Sequence, residues 1–389
     1  MNIGIDKIGF ATANYVLKLE NLAEARNIDP EKLSKGLLLK EISVAPVTED
    51  IVTMGASAAA SILTNEDKQA IDMVIVASES GIDQSKASAV FIHGLLGIQP
   101  FARSFEMKEA CYSATAALDY AKLHVEKHPD SKVLVIASDI AKYGIGTPGE
   151  PTQGAGSIAM LITSPRILAF NEDNVAQTRD IMDFWRPNYS TTPFVNGMYS
   201  TQQYLDSLKT TWAEYQKHNQ VSLKDFAAVC FHLPYPKLAL KGMKKIMDKT
   251  LPSEQQAQLQ ENFEQSILYS QKVGNIYTGS LFLGLLSLLE NSTTLKAGDR
   301  IALFSYGSGA VSEIFSGQLV AGFEQQLETN RMEKLDSRTT LSIPDYEKVF
   351  FEEAKLDENG SASFTGYENQ DFALAKIVEH QRTYIKVEK

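Results

Sequence analysis

Strand-length runs of uninterrupted apolar residues recur in the same order in the two halves of the chain. Asp72–Ser78 (DMVIVAS), Lys132–Ser138 (KVLVIAS) and Ser157–Thr163 (SIAMLIT) make up the first series. Ala227–Leu233 (AAVCFHL), Asp299–Ser305 (DRIALFS) and Ala310–Ser316 make up the second. Runs with no polar alternation read as strands buried on both faces, and such strands need helices on either side of their sheet. The helices stand in matching places. In the first half Ala110-Cys111 opens a helix rich in small residues. In the second, Gly274-Asn275-Ile276-Tyr277-Thr278-Gly279-Ser280 opens the helix LFLGLLSLLE. Gly154-Ala155-Gly156 and Gly307-Ser308-Gly309 precede the last strand of each series. The period is far too long for a solenoid. It predicts an α/β protein of two similar halves, 1–169 and 170–389, with an extension after about residue 330.

Around that frame, Ile3–Ala11 reads as a strand, and Leu19–Asn27 as a short helix stopped by Asp29-Pro30. Thr48-Glu49-Asp50 caps an Ala-rich helix running to about Leu63. Ala87–Leu96, Ser200–Gln220 and Ser253–Leu268 read as helices, while Asn171–Asn196 has little regular pattern and suits a wall or lid. In the tail, Ser342–Phe351 reads as helix and Phe372–Val387 as strand, parted by the turn at Asp357–Ser361.

In paired halves, strand ends and helix starts converge on one central pocket. Glu79, Cys111, His232 and Asn275 occupy such positions, where a rigid scaffold presents loop residues for chemistry. A helix N-terminus favours a thiolate and is expected to lower the pKa of Cys111. The same cysteine also fits as a small buried hydrophobe. A histidine ending an apolar strand is equally a satisfied core residue, Glu79 an N-cap acceptor and Asn275 a cap or turn residue. Taken together, thiol, imidazole, amide and carboxylate suit acyl transfer through a thioester. Backbone N–H groups near Cys111 and Ser308 are placed to bind an oxyanion. A carboxylate takes a proton from carbon only when burial raises its pKa.

Other classes fit poorly. Lys+Arg 37 against Asp+Glu 48 gives a net charge of −11, against nucleic acid as a partner. Two cysteines, Cys111 and Cys230, make no disulfide framework and suggest a reducing compartment. Six histidines without paired ligand spacing predict no metal site. Neither a dinucleotide fingerprint nor a P-loop is present. With no signal peptide and no membrane-length apolar run, the expected location is the cytoplasm. The lysines from Lys237 to Lys245 read as a solvated helix face, or as phosphate contacts beside a channel.

The assembled motifs resemble the thiolase superfamily and, within it, the bacterial hydroxymethylglutaryl-CoA synthases. The carriers are Glu79 in IVASESGID, Ala110–Thr115 (ACYSAT), Glu150–Gly156 (EPTQGAG) and Phe231–Tyr235 (FHLPY). Asp183–Pro187 (DFWRP), Val273–Ser280 (VGNIYTGS) and Phe304–Gly309 (FSYGSG) complete them. The resemblance implies a five-layered αβαβα fold, a homodimer and a ping-pong condensation of acetyl-CoA with acetoacetyl-CoA, serving the mevalonate route to isoprenoids. Both CoA thioesters are substrates, and no cofactor is implied. Cys111 is the implied nucleophile, Glu79 the general acid/base and His232 the residue holding acetoacetyl-CoA. Thr152, Ser200, Asn275 and Ser308 are implied at the acyl site, Lys237 and Lys241 along the CoA channel, and Asp29 near its entrance. Two places depart from the pattern: Ser113 stands where relatives often carry glycine, and Gly36-Leu37-Leu38-Leu39 lacks a second glycine and a glutamine. A carrier-protein condensing enzyme of the ketoacyl synthase III type fits Cys111, His232 and Asn275 equally. Glu79 separates the two, because decarboxylation makes a carbanion without a base.

Overall fold

The computed structural model describes residues 2–388. The strands that build the site are β1 (Gly4–Thr12), β2 (Ile71–Ala77), β3 (Arg103–Met107), β4 (Lys132–Ala141), β5 (Gly154–Thr163), β6 (Leu168–Phe170) and β7 (Val175–Thr178). They continue with β8 (Ala228–Phe231), β9 (Arg300–Gly307) and β10 (Val311–Leu319). The helices are α1 (Ile51–Ala60), α2 (Ser88–Leu96), α3 (Ser113–Lys127), α4 (Gly197–Asn219), α5 (Pro236–Ile246), α6 (Ser253–Ser266), α7 (Ser280–Asn291) and α8 (Ile343–Phe350).

The strands run in the order β8-β9-β10-β6-β1-β5-β4-β2-β3, with β7 on the flank of β10. The internal echo is visible in the pairing. Parallel β2/β4 followed by antiparallel β4/β5 is matched by parallel β8/β9 followed by antiparallel β9/β10. Short β6 joins the two series by pairing with β1 on one side and β10 on the other.

Alternate residues along each strand face different cores, as the two-residue period of a strand requires. Val133, Val135 and Ala137 of β4 meet α3, together with Ile301 and Leu303 of β9 and the leucines of α7. Leu134 and Ile136 face the other way, against α1 and α2. Val229 and Phe231 of β8, with Ala302 and Phe304 of β9, pack on α4, α5 and α6. The order is therefore helices, sheet, the shared α3/α7 layer, sheet, helices, and this is the αβαβα architecture of the thiolase fold. Ala114, Ala117 and Ala121 are fully buried in the middle layer, where their small side chains let α3 approach closely.

Two local readings change. Pro30 opens a helix, Pro30–Ser34, with Asp29 as its cap, so Asp29-Pro30 starts a helix as well as ending the one before. Within Asn171–Asn196, β7 adds to the main sheet, and Phe184–Trp185 pairs with Phe194–Val195 as a small hairpin.

Candidate active site

Between β3 and α3 the chain makes a tight turn at Glu109–Tyr112 that carries Cys111, two residues ahead of the helix. Ala110 sits at φ 41, in the left-handed region that costs a side-chain-bearing residue strain. Ser113 compensates. Its Oγ donates to the Ala110 carbonyl at 2.9 Å and accepts the Glu109 N–H at 2.5 Å, giving the departure from glycine a structural role. From the other half, Gly307 presses on this turn: a Cβ there would stand 2.7 Å from the Tyr112 nitrogen and 2.8 Å from the Glu109 oxygen. Ser308, the next residue, thereby lies beside the cysteine turn. Tyr112 anchors the far side, donating its hydroxyl to Glu313 at 2.5 Å.

The Cys111 thiol donates to Glu79 Oε1 at 3.1 Å. Nucleophile and carboxylate thus meet directly, although 32 residues separate them. The expected low thiol pKa does not hold. Burial first, then the negative charge of Glu79, push the Cys111 thiol up. Burial, followed by the charge of Asp139, likewise raises Glu79. Asp139 is completely buried and accepts five hydrogen bonds: from the hydroxyls of Ser78, Ser80 and Thr278, and from the N–H groups of Glu79 and Thr278. It locks the Glu79 loop of one half to the Thr278 turn of the other. Arg186 donates to the Glu79 carbonyl oxygen. Three residues earlier, Asp183 accepts from Tyr306 at 2.8 Å, from the Gly309 N–H at 2.9 Å and from Ser200 at 3.4 Å.

His232 follows the last residue of β8, its N–H bound to the Phe304 carbonyl at 2.8 Å and its own carbonyl accepting from Tyr204 at 2.8 Å. Burial pushes the imidazole down to about 3, so the ring is neutral at physiological pH. Its Nδ1 has no partner among the described residues. The ring makes no hydrogen bond to Cys111 or Glu79; it packs on Tyr204, which packs on Tyr306.

Asn275 is almost fully engaged. Its amide nitrogen donates to the Tyr143 hydroxyl at 2.9 Å, and its amide oxygen accepts from the Tyr277 N–H and the Ser280 hydroxyl. Its backbone N–H reaches the Thr152 carbonyl at 3.2 Å, which brings Thr152 to the same wall. The halves touch so closely here that a Cβ on Gly154 would meet the Asn275 oxygen at 2.5 Å.

The residues placed by resemblance along a CoA channel lie further out. Lys237 and Lys241 sit four apart on one stripe of α5, Lys237 partly buried and Lys241 exposed. The Lys237 N–H binds the Leu37 carbonyl at 3.1 Å, joining α5 to the departing Gly36–Leu39 segment. In that segment Leu38 holds φ 61 without the conformational freedom of glycine. Asp29 is exposed, its carboxylate capping Glu31 N–H at 2.9 Å. Asp139, Tyr143 and Gln153 were not singled out from sequence. A charge closing an apolar strand, as Asp139 closes KVLVIAS, is the signal that could have found the first.

Family models of the hydroxymethylglutaryl-coenzyme A synthase N terminal and C terminal regions match residues 1–166 and, in two segments, 174–264 and 243–365. The chain is 54% identical over 360 residues to the hydroxymethylglutaryl-CoA synthase of Enterococcus faecalis, covering 92% of this chain and 94% of that one. The chain belongs to the hydroxymethylglutaryl-CoA synthase family. Its activity is the family's acyl transfer, and a decarboxylating ketoacyl synthase is not favoured. A solved structure of an HMG-CoA synthase complexed with CoA superposes with a TM-score of 0.98 at 71% identity, each chain covered in full. More distant is the polyketide 3-hydroxy-3-methylglutaryl-ACP synthase PksG of Bacillus subtilis, 33% identical over 90% of this chain and 88% of its own.

Proposed function

We propose that this chain condenses acetyl-CoA with acetoacetyl-CoA through an acetyl-S-Cys111 intermediate. The observation that carries the residue roles is the Cys111–Glu79 hydrogen bond of 3.1 Å, between a half-buried thiol and a half-buried carboxyl group. As the sulfur attacks the acetyl carbonyl, its proton passes to Glu79 and then to the departing CoA thiolate. Glu79 next removes a proton from the acetyl methyl group, and the freed electron pair forms a bond to C3 of acetoacetyl-CoA. The ketone oxygen becomes an alkoxide and takes the proton back from Glu79. Neutral His232 holds that oxygen by hydrogen bonding, which its lowered pKa supports. Water then cleaves the thioester, its hydroxyl joining carbon and its remaining proton going to the Cys111 sulfur. Thr152, Ser200, Asn275 and Ser308 line the acyl pocket in this reading. Lys237, partly buried, and Lys241, exposed, meet the CoA phosphates as cations in this reading, with Asp29 nearby. No cofactor takes part.

The same reading makes the protein a cytoplasmic homodimer supplying the mevalonate route. Among the described residues no helix is long and apolar enough to cross a membrane. Strand β3 ends the sheet and pairs on one side only, with Phe101, Tyr120 and Leu123 exposed near it, a surface suited to a second copy. The test is a thiol-release assay with both CoA thioesters, products identified by mass, alongside labelled acetyl-CoA alone. Label on Cys111 and a six-carbon dicarboxylic CoA product are expected. An unlabelled protein, or CoA released only by hydrolysis, overturns the cycle.

A further inference from the structure

The loop from Tyr143 to Gln153 contains Gly144 at φ 102, Gly146 at φ 72 and Gly149, a backbone with little stiffness of its own. Yet it carries Tyr143, whose hydroxyl meets Asn275 and whose ring packs edge-on to Phe184 and Tyr277, 6.1 and 5.9 Å away. It ends at Thr152. What stiffens it is the side chain of Gln153, 4% exposed. Its amide oxygen accepts the N–H groups of Tyr143 at 2.7 Å and Gly144 at 3.1 Å, closing the loop on itself. Its amide nitrogen donates at 2.9 Å to the hydroxyl of Tyr346. The Gln153 backbone is pinned as well: a Cβ on Gly274 would stand 1.9 Å from its carbonyl oxygen.

Tyr346 is 1% exposed and belongs to α8, in the tail beyond residue 330, 193 residues from Gln153. A second grip runs parallel to the first. Glu347 of the same helix binds Arg26 at 2.6 Å, Arg26 binds both oxygens of Glu150, and Glu150 accepts the Gly146 N–H at 2.7 Å. The tail helix thus holds the glycine-rich loop at both ends. The side-chain amide of Gln153 is the only one of these groups that touches both the tail and the backbone of Tyr143.

We propose that Gln153 is a positioning residue for the acyl pocket. It fixes Tyr143 and Thr152 against Asn275, and Tyr346 of the C-terminal helix fixes Gln153. This rests on the acetyl-Cys111 reading above. Displacing a pocket wall by about an ångström costs turnover more than affinity, on the order of 10²-fold at most.

The experiment compares Gln153→Leu, Gln153→Glu, Tyr346→Phe and the Gln153→Leu/Tyr346→Phe double variant. Steady-state condensation, melting temperature and labelling by acetyl-CoA alone are measured for each. Gln153→Leu should lower kcat by about tenfold or more while KM for acetyl-CoA changes less than about threefold, with Cys111 still labelled. In Gln153→Glu, carboxylate oxygens still accept both loop N–H groups, while the Tyr346 hydroxyl, which also faces Glu150, no longer receives a donor, so kcat should fall less than in Gln153→Leu. Tyr346→Phe should lose a smaller factor, and the double variant should be no worse than Gln153→Leu, as members of one chain of contacts behave. A parent-like kcat in Gln153→Leu, a kcat in Gln153→Glu no higher than in Gln153→Leu, or additive losses in the double variant overturn the proposal. Should Gln153→Leu not fold, Tyr346→Phe decides alone: unchanged kcat overturns it. A parent protein that takes no label sinks the Cys111 reading instead.

Discussion

Burial and neighbouring negative charge raise both Cys111 and Glu79, so at neutral pH the carboxyl holds a proton as well as the thiol, and the reactive form is the one in which the Glu79 proton has left while the thiol keeps its own. Because Glu79 acts as a base in its ionised form, condensation should rise as pH climbs through its elevated range. Neutral His232, pushed down to about 3, should add no limb above pH 5. Glu79→Gln, unable to relay the thiol proton, should take acetyl label more slowly than the parent but still take it, and should condense about 10²- to 10⁴-fold more slowly, the usual worth of a general base. Loss of labelling to the same extent refutes a base that acts mainly on carbon. A second residue-scale prediction concerns Gly307. A methyl group there has to displace the Tyr112 nitrogen, 2.7 Å away. Gly307→Ala should therefore fold but acetylate Cys111 at least tenfold more slowly, of the order expected for a nucleophile moved by a fraction of an ångström. Acetylation at the parent rate shows that the turn tolerates the push. Glu79 and Cys111 could be found in the sequence because each interrupts a strongly patterned stretch. Tyr143 and Gln153 lie in a loop without period, and their partners, Asn275 and Tyr346, come from parts of the chain far away in sequence.

At the level of elements, the strands buried on both faces were the most readable, since an unbroken apolar run has few other uses. Strand β3 (RSFEM) escaped notice because an edge strand carries charges at Arg103 and Glu106, and β7 because four residues with exposed positions leave no pattern. Helix α5 was read by its lysines alone. Its apolar stripe of Leu238, Ala239, Met243 and Ile246 is buried on α4 and β8, and this fixes which way Lys237 and Lys241 point. Exposed ammonium groups that meet phosphates contribute little to chemistry and more to binding. Lys237→Ala combined with Lys241→Ala should raise KM for acetyl-CoA several-fold, leave kcat within about twofold and flatten the dependence of KM on salt. Equal KM values at low and high salt in parent and variant remove these lysines from the CoA path.

Across the whole molecule, the tail after residue 330 binds the parts together. Beyond α8, the hairpin of Phe372–Val378 and Gln381–Lys386 folds over α1 and α2, with Tyr384 donating to Asp50 at 2.6 Å and Leu374 N–H binding the Thr48 carbonyl. Where this hairpin, β1 and the cap of α1 meet, Glu49 is buried. Among the described residues it accepts from Asn14, through both the backbone N–H and the side-chain amide, and that amide also reaches the tail carbonyl of Asn369. Burial first, against the Asn14 N–H and with the charge of Asp371 adding to it, pushes Glu49 from 4.5 up to about 8. A carboxyl raised in the folded state binds its proton more tightly there than in the unfolded chain. Its protonation therefore stabilises the fold fully below the unfolded pKa, and that contribution drains away as pH rises through the folded one. Glu49→Gln keeps an oxygen for Asn14 but has no charge to bury. The parent should lose on the order of a few kcal/mol more stability than Glu49→Gln between pH 5 and 9. Thermal midpoints measured across that range decide the matter. The two curves should cross or converge toward acid pH and separate toward alkaline pH, with the variant the more stable there, and parallel curves would show that Glu49 stays ionised in the fold.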